Sequence, residues 1–251
     1  MHYAILGCIH GNIDALRAVL EDVRARGIER VVCLGDIVGF GPDPVECIDL
    51  VRETCFMVIK GDHDEAVTQE EPEGFIEKTA ATLRWTRERI VEADMAAGDD
   101  RLGFLASAQE SFSSAGIAFC HGSPRSKHEY LFPTDVRRDP RKLRAAFAAT
   151  DKVCFHAHTH VPGVIRDTPL GWLTASELDG YFHYQKGMKA LIDVGSVGQP
   201  RDGDPRACYL EIEKNEMHWR RVEYDVQAVV RKLEASEAFT SALAIRLQQG
   251  R

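Results

Sequence analysis

The sequence predicts an α/β fold in which helices pack on a layered β-sheet, and three observations support this class. The first quarter of the chain contains three consecutive units of an apolar strand, a polar strand end and a helical segment. With 251 residues and 44% hydrophobic side chains, the chain is long and apolar enough for one large domain. No segment repeats at a solenoid period. Strands and helices that alternate in this way form layered sheets with right-handed crossovers.

The first unit begins with the apolar residues 3–6, which predict a buried strand that stops at Gly7. Asn12 is a favourable N-cap for the helix that follows. Apolar side chains then recur at helical spacing from Ile13 until Gly27 ends the pattern. The unit therefore predicts a strand, a short loop and an amphipathic helix.

Two further strands follow the same plan. Residues 30–34 predict a strand that ends at Gly35 and Asp36, and a helix is expected from about residue 44 to 52. Residues 56–60 predict the third strand, which also ends in a short polar segment. The three strand ends are therefore polar, although the strands themselves are apolar.

The rest of the chain is expected to complete a single domain over residues 1–251. A polar stretch with helical periodicity predicts a helical insertion at about residues 66–110, and a C-terminal helix is expected at about 226–247. The later predicted strands are residues 117–120, 153–155, 161–165, 190–194 and 207–212. The second half of the chain is therefore rich in strands.

The charge balance and the N-terminal sequence limit the classes of partner. The chain has 31 basic and 39 acidic side chains, a formal charge of −8, which argues against binding to long nucleic acid or an anionic membrane surface. The N-terminus has no basic leader with an apolar core, and no run of about 18 apolar residues occurs. We therefore expect a cytoplasmic protein with no membrane partner, and homo-oligomers remain open.

The seven cysteines are odd in number, widely spaced and mostly set in apolar segments. This pattern favours reduced, buried thiols over a disulfide framework. No CxxC motif occurs, so a zinc ribbon is not expected.

Residues able to bind metal or transfer protons follow the predicted strands. Taken singly, each strand end is an ordinary polar turn, but five of them occur in order, each directly after an apolar strand. Ligands gather at the carboxyl ends of strands in open α/β sheets, so we expect these side chains to converge. The set is too large for one tetrahedral ion and is about sufficient for two. Its members are Cys8, His10, Asp36, Asp62, His63, Asp64, His121, His158 and His160.

The order of these motifs resembles the calcineurin-like metallophosphoesterases, in particular their small bacterial and archaeal phosphodiesterase branch. The family pattern is DxH, GDxx, GNH followed by an acid, a lone His, and GHTH. The corresponding stretches here are CIHGN at 8–12, GDIV at 35–38, GDHD at 61–64, HGSP at 121–124 and AHTH at 157–160. Segments 39–44 and 195–201 also resemble accessory segments of this branch, and the resemblance covers about residues 3–213.

This resemblance implies a four-layer α/β/β/α sandwich with a dinuclear metal site at the carboxyl-terminal edge of the strands. It implies that Asp36 bridges two ions and that His10 and His160 bind the first ion, together with the residue at position 8. The implied cofactors are two divalent or mixed-valence transition metal ions drawn from Mn, Fe, Zn and Ni.

The resemblance also assigns the second ion and the reaction. Asp62, His121 and His158 are implied as its ligands. His63 is implied to donate a hydrogen bond or proton toward a phosphoryl or leaving oxygen, with Asp64 as its orienting partner. The implied reaction is hydrolysis of a phosphoester by in-line attack of a hydroxide that bridges the two ions.

Three positions depart from the family pattern. Cys8 replaces an Asp, Asp62 replaces an Asn and Ala157 replaces a Gly. A thiolate at Cys8 can still reach an ion, because a metal–sulfur bond of about 2.3 Å is longer than a metal–oxygen bond of about 2.0–2.2 Å. If Cys8 instead stays a neutral thiol, the first ion binds weakly or not at all, and the enzyme is mononuclear or slow. Two other hypotheses follow: a metal-binding scaffold or regulatory module of the same fold, and thiol redox chemistry at Cys8.

The substrate is less closely defined. Arg201 is a candidate donor to a phosphate oxygen, although it also suits a surface loop, and Asn12 either contacts substrate or only caps its helix. The helical segment at 66–110 is a candidate lid. Because the chain has no basic stripe, small phosphoesters or nucleotides, and phosphodiesters among them, are the expected substrates.

Overall fold

Two six-stranded β-sheets form the centre of the protein in a computed structural model that describes residues 2–93 and 95–251. Met1 and Asp94, which fall within the predicted domain, lie outside the described residues. The strands are β1 (His2–Leu6), β2 (Arg30–Cys33), β3 (Met57–Val58), β4 (Ser111–Ser114), β5 (Ile117–Cys120), β6 (Val153–His156), β7 (Gly163–Arg166), β8 (Gly171–Thr174), β9 (Tyr181–His183), β10 (Ala190–Asp193), β11 (Ala207–Glu213) and β12 (Glu216–Val222). The helices are α1 (Ile13–Ala25), α2 (Pro44–Thr54), α3 (Asp62–Thr68), α4 (Glu77–Ala93), α5 (Met95–Ser107), α6 (Asp135–Arg138), α7 (Pro140–Ala148), α8 (Val226–Glu234) and α9 (Ser241–Gln249).

Each sheet mixes parallel and antiparallel strands. The strand order is β3-β2-β1-β11-β12-β9 in the first sheet and β4-β5-β6-β10-β7-β8 in the second. In the first, β1, β2 and β3 are parallel, with Ile5 opposite Val32. In the second, β5 and β10 both run parallel to β6. The parallel strands of both sheets therefore present their carboxyl ends to loops that carry the chemically active residues.

The alternation of side chains along β1 shows how the layers pack. Ala4 and Leu6 join a core that includes residues of α1, α2, α4 and α5, whereas Ile5 points into the core between the two sheets. On the far side, Leu143 and Phe147 of α7 pack against Cys154 of the second sheet. Helices thus cover the outer face of each sheet, which confirms the four-layer α/β/β/α sandwich.

The strands missing from the sequence prediction are mostly edge strands. β4, β8 and β9 lie at sheet edges, and β4 consists of the exposed segment Ser111–Ser114. Such strands bury little surface and lack the apolar run on which the prediction depended. β12 and the helices α6 and α7 were also not predicted, because their charged residues obscure the apolar face.

The expected C-terminal helix at 226–247 is wrong in detail, since the segment forms α8 and α9. α8 ends at Glu234, and Thr240, which precedes α9, is extended with φ −88° and ψ 147°. Between the helices, the buried Phe239 packs edge-on against Trp85 of α4 at a centroid distance of 4.6 Å. This contact provides a reason for the break. No helix within the described residues has the length and apolar character needed to cross a bilayer.

Candidate metal centre

The loops that follow strands of both sheets meet at one edge and bring all seven predicted metal ligands together. They form two groups, within each of which one ligand atom per residue lies within 4.8 Å of the others. Asp36 belongs to both groups, and every member is buried. The first group is Cys8, His10, Asp36 and His160, and the second is Asp36, Asp62, His121 and His158.

Five of these seven residues have a left-handed backbone. Their φ angles lie between 50° and 68°, a region that side chains other than glycine seldom occupy and that costs free energy unless the surroundings impose it. The residues are Cys8, His10, Asp36, His158 and His160. Backbone hydrogen bonds hold the loops together: Cys8 N donates to Gly35 O at 2.9 Å, and His10 N donates to Asp36 O at 2.8 Å. The strained conformations are therefore supported by neighbouring loops.

In the first group, hydrogen bonds fix which imidazole nitrogen faces the other ligands. His10 Nδ1 lies 3.3 Å from Val38 O, and His160 Nδ1 lies 2.6 Å from Gln199 O. A carbonyl accepts only a proton, so in both rings Nδ1 is the protonated nitrogen and Nε2 keeps a lone pair. The two Nε2 atoms are 3.1 Å apart. Two lone pairs that face each other are suited to an electropositive ion between them.

Cys8 takes part in this group with its sulfur. Its Sγ accepts a hydrogen bond from His158 N at 3.3 Å, and the residue has no exposed surface. Burial, followed by the negative charge of Asp36, raises the pKa of the Cys8 thiol well above its ordinary value. Without a cation, Cys8 is therefore a neutral thiol, and an ion that binds its thiolate has to displace the proton.

In the second group, His121 is oriented like the two rings of the first, whereas His158 turns its Nδ1 toward the other ligands. His121 Nδ1 donates to Leu34 O at 2.7 Å, while its Nε2 lies 3.2 Å from Asp62 Oδ1 and 3.0 Å from His158 Nδ1. Asp36 Oδ2 is 3.3 Å from the same Nε2. Asp62 Oδ1 is buried and has no hydrogen-bond partner among the residues that the structure describes. A carboxylate oxygen that is desolvated and unpaired in this way fits a cation ligand.

The charge states agree with cation binding. Burial lowers the pKa of His158 to about 2 and also lowers the pKa values of His10 and His160, so these imidazoles are neutral. Burial alone would raise the pKa of Asp62, but the nearby imidazoles of His121, His63 and His158 lower it below the ordinary value. Although burial opposes it, the Asp36 and Asp62 carboxylates raise the pKa of His121. Three neutral imidazoles beside two buried acidic side chains therefore fit cations, and an ion at the second group has to displace the proton that the raised pKa favours on His121.

His63 stands beside the first group in an aromatic enclosure. Its ring lies 4.9 Å from that of His10 and 4.5 Å from that of Phe40, and Phe75 packs edge-on at 5.3 Å. A Cβ at Gly39 would lie 2.2 Å from His63 Nδ1, so only glycine leaves room for the ring. This Nδ1 is buried and has no hydrogen-bond partner within the described residues. His63 is thus held next to the ligands with an unused polar atom.

Asp64 does not take the orienting role expected from the sequence. Its Oδ1 accepts hydrogen bonds from Ile37 N at 2.8 Å and Val38 N at 3.4 Å, and its Oδ2 accepts one from Gly61 N at 3.0 Å. Burial, followed by the Asp36 carboxylate, raises the pKa of Asp64 to about 7. Its contacts tie the loop after β2 to the start of α3, so it positions backbone rather than the His63 ring.

The two predicted substrate-binding residues differ in their surroundings. Asn12 is buried, its Oδ1 caps α1 by accepting from Ala15 N at 3.0 Å, and its Nδ2 donates to Gly198 O at 3.0 Å. These bonds account for the capping role, one of the two alternatives for Asn12, and its contact with substrate stays a prediction. Arg201 donates through Nη2 to Gln199 Oε1 at 2.7 Å, but its Nε is buried without a partner in the described chain. Burial, followed by the charge of Arg246, lowers the pKa of Arg201.

Sequence reasoning missed two residues beside the ligands. Asp193, at the end of β10, accepts a hydrogen bond from Thr159 Oγ1 at 2.6 Å and thereby holds the loop between His158 and His160. A carboxylate at the end of an otherwise apolar strand was the signal for it. Tyr130 stacks on His158 with a centroid distance of 3.6 Å. It lies in a loop, and nothing in its sequence context indicated its position.

The four-layer fold and the double group of candidate metal ligands are typical of phosphoesterases, and comparison with known proteins identifies the family. A model of the calcineurin-like phosphoesterase superfamily domain matches residues 1–215. The chain therefore belongs to the calcineurin-like phosphoesterase superfamily, and the resemblance drawn from its motifs is confirmed. Family members of this kind generally use divalent metals.

Individual relatives extend over almost the whole chain. An uncharacterized protein of Methanocaldococcus jannaschii, MJ0912, is 34% identical and aligns over 92% of this chain and 90% of its own length. The crystal structure of a metallophosphoesterase from Sphaerobacter thermophilus is 31% identical, with a TM-score of 0.83 and coverage of 100% and 99%. A hypothetical protein of Pyrococcus horikoshii OT3, PH1004, has a TM-score of 0.72 at 20% identity over 100% and 98% of the two chains, which shows a shared fold alone.

Proposed function

We propose that the protein hydrolyses small phosphoesters, with phosphodiesters and nucleotides as the preferred class, using two divalent transition metal ions. The observation that carries the proposal is the pair of ligand groups that share Asp36. When bound, two such ions acidify a water molecule between them and neutralise charge on a phosphoryl group during in-line attack. Family membership supports phosphoester chemistry in general, and the negative charge of the chain favours small substrates over long nucleic acid. A cytoplasmic location belongs to the same proposal.

The residues of this chain would divide the work between ion binding and substrate binding. Cys8, His10 and His160 are proposed to hold one ion, with Asp36 shared between both. The neutral Nε2 atoms of the two imidazoles are already aimed at one point, so little reorganisation is needed when an ion binds.

The second ion and the substrate are assigned in the same way. Asp62, His121 and His158 are proposed as its ligands, with His63 placed to donate toward a phosphoryl or leaving oxygen. Arg201 is proposed to contact a phosphoryl oxygen, because its Nε is a buried donor without a partner in the described chain. A substrate oxygen would satisfy that donor.

Activity and metal content can be measured together on purified protein. Bis-nitrophenyl phosphate and nitrophenyl phosphate are assayed with manganese, nickel, zinc and iron, and the metal is counted per chain. We expect turnover of the diester with close to two ions bound. His121→Asn is expected to abolish turnover. The matched control, His128→Asn, changes an exposed histidine and is expected to leave turnover unchanged. No turnover with any metal, together with less than one ion per chain, would refute the proposal.

A second candidate function is a metal-binding scaffold or regulatory module of the same fold. The observation in its favour is Cys8, whose buried thiol holds its proton more firmly than a free cysteine does. If that proton is retained, only His10, Asp36 and His160 remain for the first ion. The two candidates separate in the same assay, because the scaffold binds about one ion per chain and turns over neither substrate.

A further inference from the structure

Tyr130 is part of a row of three rings that leads from the metal centre to the protein surface. Its ring stacks on His158 at a centroid distance of 3.6 Å and an interplanar angle of 21°. Phe132 stacks almost parallel on Tyr130, at 4.9 Å and 4°. His158 is buried, Tyr130 is half-buried and Phe132 is 40% exposed. The Tyr130 ring is therefore fixed between a proposed metal ligand and a surface aromatic side chain.

The loop that carries Tyr130 is held at several points. Ser123 Oγ donates to Glu129 Oε2 at 2.6 Å, and Phe132 N donates to Asp135 Oδ2 at 2.7 Å. Lys127 forms an ion pair at 2.7 Å with Glu65 of α3, the helix that begins at Asp62 and includes His63. These contacts fix the loop relative to the proposed site without using the Tyr130 side chain. The orientation of Tyr130 is thus set before any substrate binds.

The Tyr130 hydroxyl, unlike the ring, makes no contact that holds the loop in place. It makes no hydrogen bond to any other residue that the structure describes. Burial, followed by the charge of Asp62, raises the pKa of Tyr130 to about 12, so the hydroxyl stays a donor. Arg201 Nε, a buried donor, is also without a partner in the described chain. Buried donors are rarely left unpaired, so the Arg201 Nε, together with a Tyr130 hydroxyl that is free to donate from a ring fixed on His158, points to a ligand rich in acceptor oxygens.

We propose that the Tyr130 hydroxyl donates a hydrogen bond to a phosphoryl or ester oxygen of the substrate, in addition to the contact proposed for Arg201. This inference rests on the proposed phosphoesterase function and adds a substrate-contacting residue to it. No covalent step is involved, since the hydroxyl keeps its proton. A hydrogen bond to a charged oxygen contributes about a 10- to 100-fold effect on binding or rate.

The test compares two variants that each remove one oxygen atom. Tyr130→Phe keeps the ring and its stack on His158 but removes the hydroxyl. Tyr181→Phe is the matched control, because that hydroxyl lies at the surface, 3.4 Å from Glu216. Binding of inorganic phosphate to the manganese-loaded protein is measured by calorimetry, kcat and KM are measured with bis-nitrophenyl phosphate, and manganese is counted per chain. We expect Tyr130→Phe to weaken phosphate binding about 10-fold and lower kcat/KM about 10- to 100-fold, with manganese content and the control unchanged.

The outcomes separate this inference from the function on which it rests. The proposed function is refuted if the wild-type protein hydrolyses neither nitrophenyl substrate with any metal. In that case the comparison of phosphate binding still decides whether Tyr130 contacts the ligand. Equal phosphate affinity in wild type and Tyr130→Phe overturns the inference even when hydrolysis is normal. It is also overturned if Tyr130→Phe loses manganese in proportion to its loss of activity, because the residue then acts through His158. The inference about Tyr130 is also overturned if the wild-type protein binds no phosphate.

Discussion

Gly61 offers a direct test of the shared ligand Asp36. Its backbone is extended, with φ −82° and ψ 171°, a conformation that alanine adopts without strain. A Cβ at this position would lie 2.1 Å from Asp36 Oδ1 and 2.3 Å from Asp36 N, whereas ordinary contact begins at 3.4 Å. Gly61→Ala therefore requires the Asp36 carboxylate to withdraw by about 1.3 Å, and the clash with Asp36 N requires the backbone of this ligand to shift as well.

A displacement of this size exceeds what metal coordination tolerates, because ligand distances vary by only about 0.2 Å. Asp36 belongs to both ligand groups, so we expect both ions to be affected. The metal content should fall from about two ions to less than one per chain, and kcat/KM should fall at least about 100-fold. The overpacking should also lower the free energy of unfolding by about 1–3 kcal/mol.

Metal analysis after gel filtration, diester hydrolysis and urea unfolding measure the three effects. Gly103→Ala is the matched control, because a Cβ there meets nothing within 4 Å and the position lies in the helix α5. We expect that control to keep wild-type metal content and activity. If Gly61→Ala and Gly103→Ala show the same metal content, activity and unfolding free energy, the argument that Gly61 holds Asp36 in place is wrong.

Three further changes test other parts of the structure. Cys8→Asp restores the family residue and should raise the manganese-dependent rate, and an unchanged rate and metal content would mean that position 8 does not contact an ion. Thr159→Val removes the donor to buried Asp193, which should cost about 1–3 kcal/mol of unfolding free energy and weaken metal binding about 10- to 100-fold; wild-type metal affinity by calorimetry would contradict this. Glu211 is mostly buried, yet its hydrogen-bond donors hold its pKa below the ordinary value, so its charged form stabilises the fold at neutral pH. The unfolding free energy of Glu211→Gln should be about 1–3 kcal/mol lower than that of the wild type at pH 7. This difference should disappear as the pH falls below about 4, where the carboxylate is protonated. A difference in urea unfolding that does not depend on pH would refute the stabilising role of the Glu211 charge.

The sequence was informative where apolar strands end in unusual residues. The segment around Asp36 combines a buried strand, a glycine and a carboxylate, and each of these has a local physical signature. The same holds for His158 and His160, which follow the apolar strand β6. Because parallel strands bring their carboxyl ends to one edge, local patterns were enough to predict that these side chains meet.

Other features depend on contacts that no local pattern encodes. The stacking of Tyr130 on His158 joins residues 28 positions apart through the course of a loop. The use of both Asp64 oxygens by backbone amides depends on how the loop after β2 packs on α3. Short polar edge strands such as β4 have neither an apolar run nor a clear alternation. Such features follow from tertiary packing, which overrides weak local preferences.

The origin of the ligands in two sheets has a consequence for how the protein assembles. Within the described chain, the first group takes Cys8, His10 and Asp36 from loops of one sheet and only His160 from the other. Neither sheet alone offers a complete ion site, so a cation can bind with full affinity only after the sheets have docked. Metal would then bind late in folding, after the two sheets have packed together. It would slow the separation of the sheets during unfolding rather than speed their formation.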